Sequence, residues 1–351
     1  MMKAKVVKMS EEELDLAALQ EAGEILRRGG LVGFPTETVY GLGGNALDPS
    51  ASRKIYAAKG RPSDNPLIIH IADMDDLPYI VKNIPEKAAW LAEAFWPGPL
   101  TMIFEKSDVV PYETTGGLDT VAVRFPSHKI AKEMILAGGG YVAAPSANTS
   151  GRPSPTEAKH VEEDLGEEID MIIDGGRVDI GLESTIVDCT VDPPVILRPG
   201  YVNQEMLEKV INRVEMDPGL TSENEKVRPK APGMRYRHYA PKAKLVLVDG
   251  DDTAVAAYIS AEVRKKEAEG QQVGIICADE TRELYTEGLI RCIGRRQKEE
   301  EIAQRLYAVL RDFDEEDISF IYSETFNTPK IGTAIMNRLN KAAGHEIIYL
   351  S

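Results

Sequence analysis

Cysteine is scarce in this chain, with three in 351 residues. Cys189, Cys277 and Cys292 are far apart, form no CxxC pair and have no histidine at a zinc-ligand spacing. That argues against a structural zinc site or a disulfide framework and fits a reduced, cytoplasmic setting. Long apolar runs are missing too. Nothing approaches the length of a membrane span, and the opening Met1-Met-Lys-Ala-Lys-Val-Val-Lys lacks the apolar centre of a signal peptide, so no membrane partner is expected. Positive charge is in deficit: 41 Lys and Arg face 57 Asp and Glu, a net charge of −16. A chain coated in nucleic acid needs a basic face, so the balance opposes that class while leaving room for a locally basic pocket.

What is present is the composition of a globular protein, 43% hydrophobic and 28% charged, in a chain long enough for two domains. Three zones separate. Residues 1–212 mix helices and strands. An amphipathic helix is expected over Glu11–Arg28, stopped by Gly29-Gly30. Strands are expected at Leu31–Phe34, Leu67–Ile71, Thr101–Phe104, Thr120–Phe125, Tyr141–Ala144, Met171–Ile173, Ser184–Val187 and Val195–Arg198. The Gly41-Leu-Gly-Gly44 run reads as a turn. Residues 213–242 read as a linker rich in Pro, Gly, Ser, Asn and charge, yet its end crowds two Arg, two Tyr and one His around Arg235–Tyr239. Residues 243–351 alternate strand and helix regularly, the pattern of a small parallel sheet with helices on its faces. That zone has no GxGxxG, no GxxxxGK[ST] and no evident catalytic pair.

The chemistry concentrates in the first zone. Lys59-Gly-Arg61-Pro-Ser63-Asp64-Asn65-Pro66 places two cations among small polar side chains, and Pro62 and Pro66 bar helix. Read as extended, the segment turns Lys59, Arg61, Ser63 and Asn65 to one face, which suits an anionic, oxygen-rich ligand. Further candidates sit where strands begin or end: Thr36 and Thr38, His70, Thr120 and Arg124, Ser146 and Asn148, Ser154, Ser184 and Arg198. Arg124 in so apolar a strand is either at an exposed end or aimed into a cleft. His70, between two isoleucines, reads more readily as a core histidine than as a catalytic base. Lys59, Arg61, Arg124 and Arg198 are expected to converge on one basic cleft. No Ser–His–Asp or paired-carboxylate set accompanies them, so catalysis there would rest on positioning and charge neutralisation of a nucleotide triphosphate, with a metal ion held by the phosphates and none by protein alone.

Phe34-Pro-Thr-Glu-Thr-Val-Tyr-Gly-Leu42, the KxR motif at Lys59–Arg61 and Pro145-Ser-Ala-Asn148 resemble the signatures of the YrdC-like family. Pro232–Pro241 and the C-terminal β/α zone are similar to its two-domain members, the threonylcarbamoyl-adenylate synthases. The resemblance implies an α/β fold, a twisted open mixed sheet with helices followed by a smaller Rossmann-like parallel domain. It implies that L-threonine, bicarbonate and ATP, with Mg2+ carried by ATP, give threonylcarbamoyl-adenylate and pyrophosphate. A downstream transferase complex then passes the group to tRNA adenosine beside the anticodon. By matching motifs, Lys59 and Arg61 would be catalytic and, with Ser63, would contact ATP phosphates or carbamate. Thr36, His70, Arg124 and Ser184 would hold threonine. Thr120, Ser146, Asn148, Ser154, Arg198 and Tyr236 would hold the nucleotide. Arg237, His238 and Tyr239 would join Tyr236 in a lid that limits hydrolysis of the mixed anhydride. Two rivals are weaker. Weak RNA binding on a basic concave face is countered by the acidic balance and the lack of aromatic stacking motifs. The carbamoyltransferase of hydrogenase maturation shares the domain but carries zinc-ribbon cysteines and an acylphosphatase domain, both missing from this sequence.

Overall fold

A computed structural model describes residues 3–220 and 238–350. The chain divides into two units, one of residues 1–150 and 154–236, the other of residues 151–153 and 237–351.

The first unit is built on a mixed sheet. Its strands are β1 (Lys5–Lys8), β2 (Val32–Phe34), β3 (Gly41–Asn45), β4 (Ile68–His70), β5 (Leu100–Glu105), β6 (Thr120–Arg124), β7 (Val142–Ala144), β8 (Met171–Asp174), β9 (Thr185–Asp188), β10 (Val195–Arg198) and β11 (Glu215–Met216). Among the described residues they lie in the order β1-β8-β2-β3-β7-β4-β6-β5-β9-β10-β11. β4 runs parallel to β6 and pairs His70 with Arg124, whereas β7 runs antiparallel to β4 and β5 antiparallel to β6. Strand residues alternate between two cores. Ala143 joins Ile69, Val121 and Val123 on one face, and its neighbours Val142 and Ala144 join Phe34 and the helices Leu16–Arg27 and Lys129–Ala137 on the other. All eight strands expected in this zone form, with ends shifted by a residue or so.

Two readings are corrected. The Gly41-Leu-Gly-Gly44 run is strand β3, not a turn. Its glycines are spacers for a crowded sheet face: a Cβ on Gly41 or Gly43 would lie about 3 Å from the Phe34 ring, and one on Gly44 3.0 Å from Ile55. The first helix is shorter than expected, starting at Leu16 because the Asp15 side chain caps it by accepting from the Ala18 amide.

The second unit is a parallel sheet, as its alternation predicts. Strands β12 (Lys244–Asp249), β13 (Val273–Cys277), β14 (Leu289–Cys292), β15 (Phe320–Glu324) and β16 (Ile347–Tyr349) lie in the order β14-β13-β15-β12-β16. Helices Asp252–Ala268, Glu299–Asp314 and Gly332–Ala342 connect them. Cys277 and Cys292 are register partners with sulfurs 3.5 Å apart, both free thiols. No described helix is long and apolar enough to cross a membrane.

Candidate active site

The segment leaving β2, residues 35–41, is the hub of the site. Its backbone is bonded on three sides: the Tyr40 carbonyl accepts from the Ala147 amide, the Tyr40 amide donates to the Pro155 carbonyl, and the Glu37 and Thr38 carbonyls accept from the amides of Ile180 and Gly181. Thr36 folds the segment on itself, its hydroxyl bonding Thr38 Oγ1 at 2.9 Å and the Val39 carbonyl at 2.7 Å. This hub draws the 145–148, 154–156 and 180–184 stretches to one place.

Lys59 and the Ser146–Asn148 turn form one cluster. Lys59 Nζ is buried and donates to the Ser146 carbonyl at 2.5 Å and to the Asn148 carbonyl. Ser146 Oγ in turn donates to Asn148 Oδ1 at 2.6 Å. The two signature motifs are therefore physically joined, although the local geometry differs from expectation. Lys59 is the last residue of helix Pro49–Lys59, which starts on an Asp48 cap with Pro49 in its first turn and ends in a left-handed Gly60 with φ of 58°. Pro62 therefore bars helix only beyond Gly60. The residues after Gly60 form a turn rather than an extended strand, so the four polar side chains do not share a face. Arg61 points back into that turn, donating to the carbonyls of Asn65 and Pro66 at 3.2 and 3.1 Å. Ser63 is exposed, beside a cavity of about 470 Å³ that Arg53, Tyr112 and Glu113 also line.

The second cluster surrounds Arg124, at the end of β6. Its Nη1 donates to Thr38 Oγ1 at 2.8 Å and its Nη2 lies 2.7 Å from Glu37 Oε1, both groups being buried. Arg124 Nε has no hydrogen-bond partner among the described residues. His70 lies beside Arg124 in the sheet, with Nδ1 3.1 Å from the Ile68 carbonyl. Burial first, and then the neighbouring guanidinium, pull its imidazole down to about 3, so it is neutral at neutral pH. By position His70 is a buried residue of β4.

A third cluster joins Ser184 and Arg198. Ser184 Oγ is 2.7 Å from Thr101 Oγ1, and Arg198 reaches the Ser184 carbonyl and hydroxyl at 3.1 and 3.2 Å. Thr101 is the register partner of Arg124, which ties this cluster to the previous one. Ser154 bonds the buried Glu183. Thr120 is not brought to Arg124. It opens β6, about 13 Å away along the strand at 3.3 Å per residue. Tyr236 and Arg237 lie outside the described residues. His238 and Tyr239 belong to the second unit, where Tyr239 stacks on Tyr307 with ring centroids 5.3 Å apart.

Sequence reasoning missed Glu37, Thr101 and Glu183 as parts of the site. Glu37 carried a signal, an acid within an otherwise apolar and hydroxylic stretch, whereas Thr101 could be placed only through its register with Arg124. Among the described residues no group of three or more His, Cys, Asp or Glu is arranged to hold a metal.

Comparison with known proteins gives this site its context. The family model described as Telomere recombination matches residues 24–200, and that of the threonylcarbamoyl-AMP synthase C-terminal domain matches residues 202–344. The threonylcarbamoyl-AMP synthase of Pyrococcus abyssi is 47% identical over 96% of this chain and 97% of its own length. That of Bacillus subtilis is 46% identical over 94% of each chain. A crystal structure of P. abyssi Sua5 complexed with L-threonine superposes with a TM-score of 0.93 at 45% identity, covering both chains completely. With both units matched in order and nearly end to end, the chain belongs to the threonylcarbamoyl-AMP synthase family.

Proposed function

We propose that this enzyme condenses L-threonine, bicarbonate and ATP into threonylcarbamoyl-adenylate, releasing pyrophosphate, and that a separate transferase moves the threonylcarbamoyl group to tRNA adenosine beside the anticodon. The observation that carries the reading is Arg124, a buried guanidinium whose Nε lacks a protein partner among the described residues, set among Thr36, Thr38, His70 and Glu37. A fork of this kind calls for a carboxylate, and the threonine complex of the P. abyssi relative supports threonine as its source.

In this reading Arg124 takes the threonine carboxylate, with Thr36, Ser184 and His70 bounding the side-chain pocket. The neutral imidazole adds no charge there. Lys59 draws the Ser146–Asn148 turn toward the phosphates, and Arg61 stiffens the loop after the helix. Ser146, Asn148, Ser154 and Arg198 hold the nucleotide, with Ser63, Thr120 and Tyr236 completing its contacts. The carbamate of threonine attacks the α-phosphorus, so two anions must meet. Lys59, Arg61 and Arg198 lower that repulsion and stabilise the charge that develops. Carried with ATP as part of that substrate, Mg2+ would neutralise part of the phosphate charge. Tyr236, Arg237, His238 and Tyr239 serve as a lid against hydrolysis of the mixed anhydride. The reaction takes place in the cytoplasm.

Carbon-labelled bicarbonate tests the reading. The expected adenylate carries the label together with threonine. An unlabelled threonyl-adenylate would overturn it.

A further inference from the structure

Glu37 is a buried carboxylate with an odd inventory of partners. It lies 2.7 Å from Arg124 Nη2, and its side chain is 8% exposed. Yet neither of its oxygens receives a well-formed hydrogen bond among the described residues, and Arg124 Nε and Nη2 make none either. A buried carboxylate with one guanidinium beside it and no other donor among the described residues leaves an oxygen open to a group that arrives later. The pair is neutral as a whole, one cation beside one anion. An α-amino acid is its complement, because its carboxylate and ammonium flank a single carbon. A carboxylate seated on Arg124 brings the ammonium to the neighbouring anion, and an ammonium carries the three donors that the Glu37 oxygens lack.

We propose that Glu37 receives the ammonium of threonine and takes one of its protons, making the amine competent for carboxylation. This assignment rests on the condensation proposed above and adds the base that the reaction needs. An ammonium has no free electron pair. One proton moves from it to a Glu37 oxygen, and the freed pair forms the N–C bond to the bicarbonate carbon. The C–O bond to the bicarbonate hydroxyl breaks, and that oxygen leaves as water with the second amine proton. The carbamate that results holds one N–H, and the proton on Glu37 returns to solvent before the next turnover.

Other groups nearby are placed less well to receive the ammonium. Arg124 is a cation. His70 has Nδ1 3.1 Å from the Ile68 carbonyl, which occupies that ring nitrogen. His128, on the segment after β6, lies 3.6 Å from Glu11, and burial holds its imidazole below its ordinary range against the pull of Glu11, Glu37 and Asp179. Glu11 is already engaged by the Lys129 amide. Asp179 lies on the segment after β8, next to Ile180, whose amide binds the Glu37 carbonyl.

The experiment compares wild type, Glu37→Gln and Glu37→Asp in two directions. Forward pyrophosphate release by Glu37→Gln at pH 7 is expected to fall about a hundredfold, the usual scale for a positioned proton acceptor. The gap should narrow as pH rises toward and past the pKa of the free threonine ammonium, where solvent removes the proton unaided. The reverse reaction, pyrophosphate with preformed threonylcarbamoyl-adenylate giving ATP, contains no ammonium, so at saturating adenylate its loss in Glu37→Gln should be at least about tenfold smaller than the forward loss. Glu37→Asp keeps a carboxylate, so its forward rate should fall while its pH profile parallels wild type. Equal loss in both directions for Glu37→Gln, or a Glu37→Asp profile as steep with pH as that expected for Glu37→Gln, would overturn the assignment. A forward gap that stays constant with pH would overturn it too. Wild type that releases pyrophosphate without threonine defeats the underlying condensation instead.

Discussion

The two units treat buried charge differently, one in a mixed sheet and the other in a parallel sheet. Each is an α/β sheet with buried charge at the end of a strand, Arg124 closing β6 in the first and Glu324 closing β15 in the second. Glu324 is fully provided for. It accepts from Tyr285 Oη at 2.8 Å, from the Ala278 amide at 3.0 Å and from Arg296 Nη2 at 2.7 Å. Burial, and then Glu324, push the Tyr285 phenol up, which keeps it a proton donor to that carboxylate. Around Arg124, by contrast, the Nε of the guanidinium and both Glu37 oxygens lack hydrogen bonds among the described residues. Strand-end position alone does not mark a ligand site in this protein. What differs is the carboxylate: Glu324 accepts three hydrogen bonds, whereas Glu37 has the Arg124 guanidinium 2.7 Å away and no well-formed hydrogen bond among the described residues, as expected of a group kept for a ligand.

Substitutions can break that contrast, and the largest effect is expected at Lys59. Lys59→Ala removes the cation that joins the two signature motifs and should lower turnover by at least about tenfold, with hundredfold within the usual range for one electrostatic contact. Full activity in steady-state kinetics would make the cluster structural. Arg124→Lys keeps charge but loses the planar fork, so KM for threonine should rise about tenfold while KM for ATP changes little. Equal shifts in both constants would move the carboxylate elsewhere. A chain ending near residue 215 should lose several-fold in synthase rate through loss of the lid, and an unchanged rate in a folded truncation would remove that role. Glu324→Gln should do the reverse of Lys59→Ala. Thermal unfolding is expected to show a loss of about 1–3 kcal/mol, with threonine-dependent kinetics unaltered below the new midpoint.

The smallest effect concerns pH. His70 titrates at about 3 in the folded chain against an ordinary 6.5, so between those values the unfolded state binds the extra proton. Its contribution to stability is full above pH 6.5 and fades as pH falls toward 3. Denaturant midpoints of wild type and His70→Asn should therefore differ by a constant amount above pH 6.5 and change relative to each other below it, wild type losing more. A difference that stays constant below pH 6.5 as well would mean that His70 is not held neutral.

Much of this contrast is legible in the sequence. Apolar alternation located every expected strand of both units, because buried strands leave a pattern of period two or a short apolar run. The motif residues Thr36, Lys59, Arg124, Ser146, Asn148, Ser184 and Arg198 could be picked out as polar groups at strand ends. Their partners could not, because Thr101 meets Ser184 and Arg124 only through strand register, and Glu183 meets Ser154 across a fold of the chain. β3 was hidden because glycine reads locally as a turn, while its place in the sheet depends on the Phe34 ring packed against it. The Lys59–Pro66 segment misled for a similar reason. Proline restrains the chain beyond a helix end, and the capped start at Asp48 and Pro49 set the geometry of Lys59 from the other side.

The proposed condensation joins three substrates at the buried charges of the first unit. Pyrophosphate release by the full chain, with threonine, bicarbonate and ATP omitted in turn, tests it most directly. Release should require all three and fall to background when either threonine or bicarbonate is left out, whereas release that continues without threonine would contradict it.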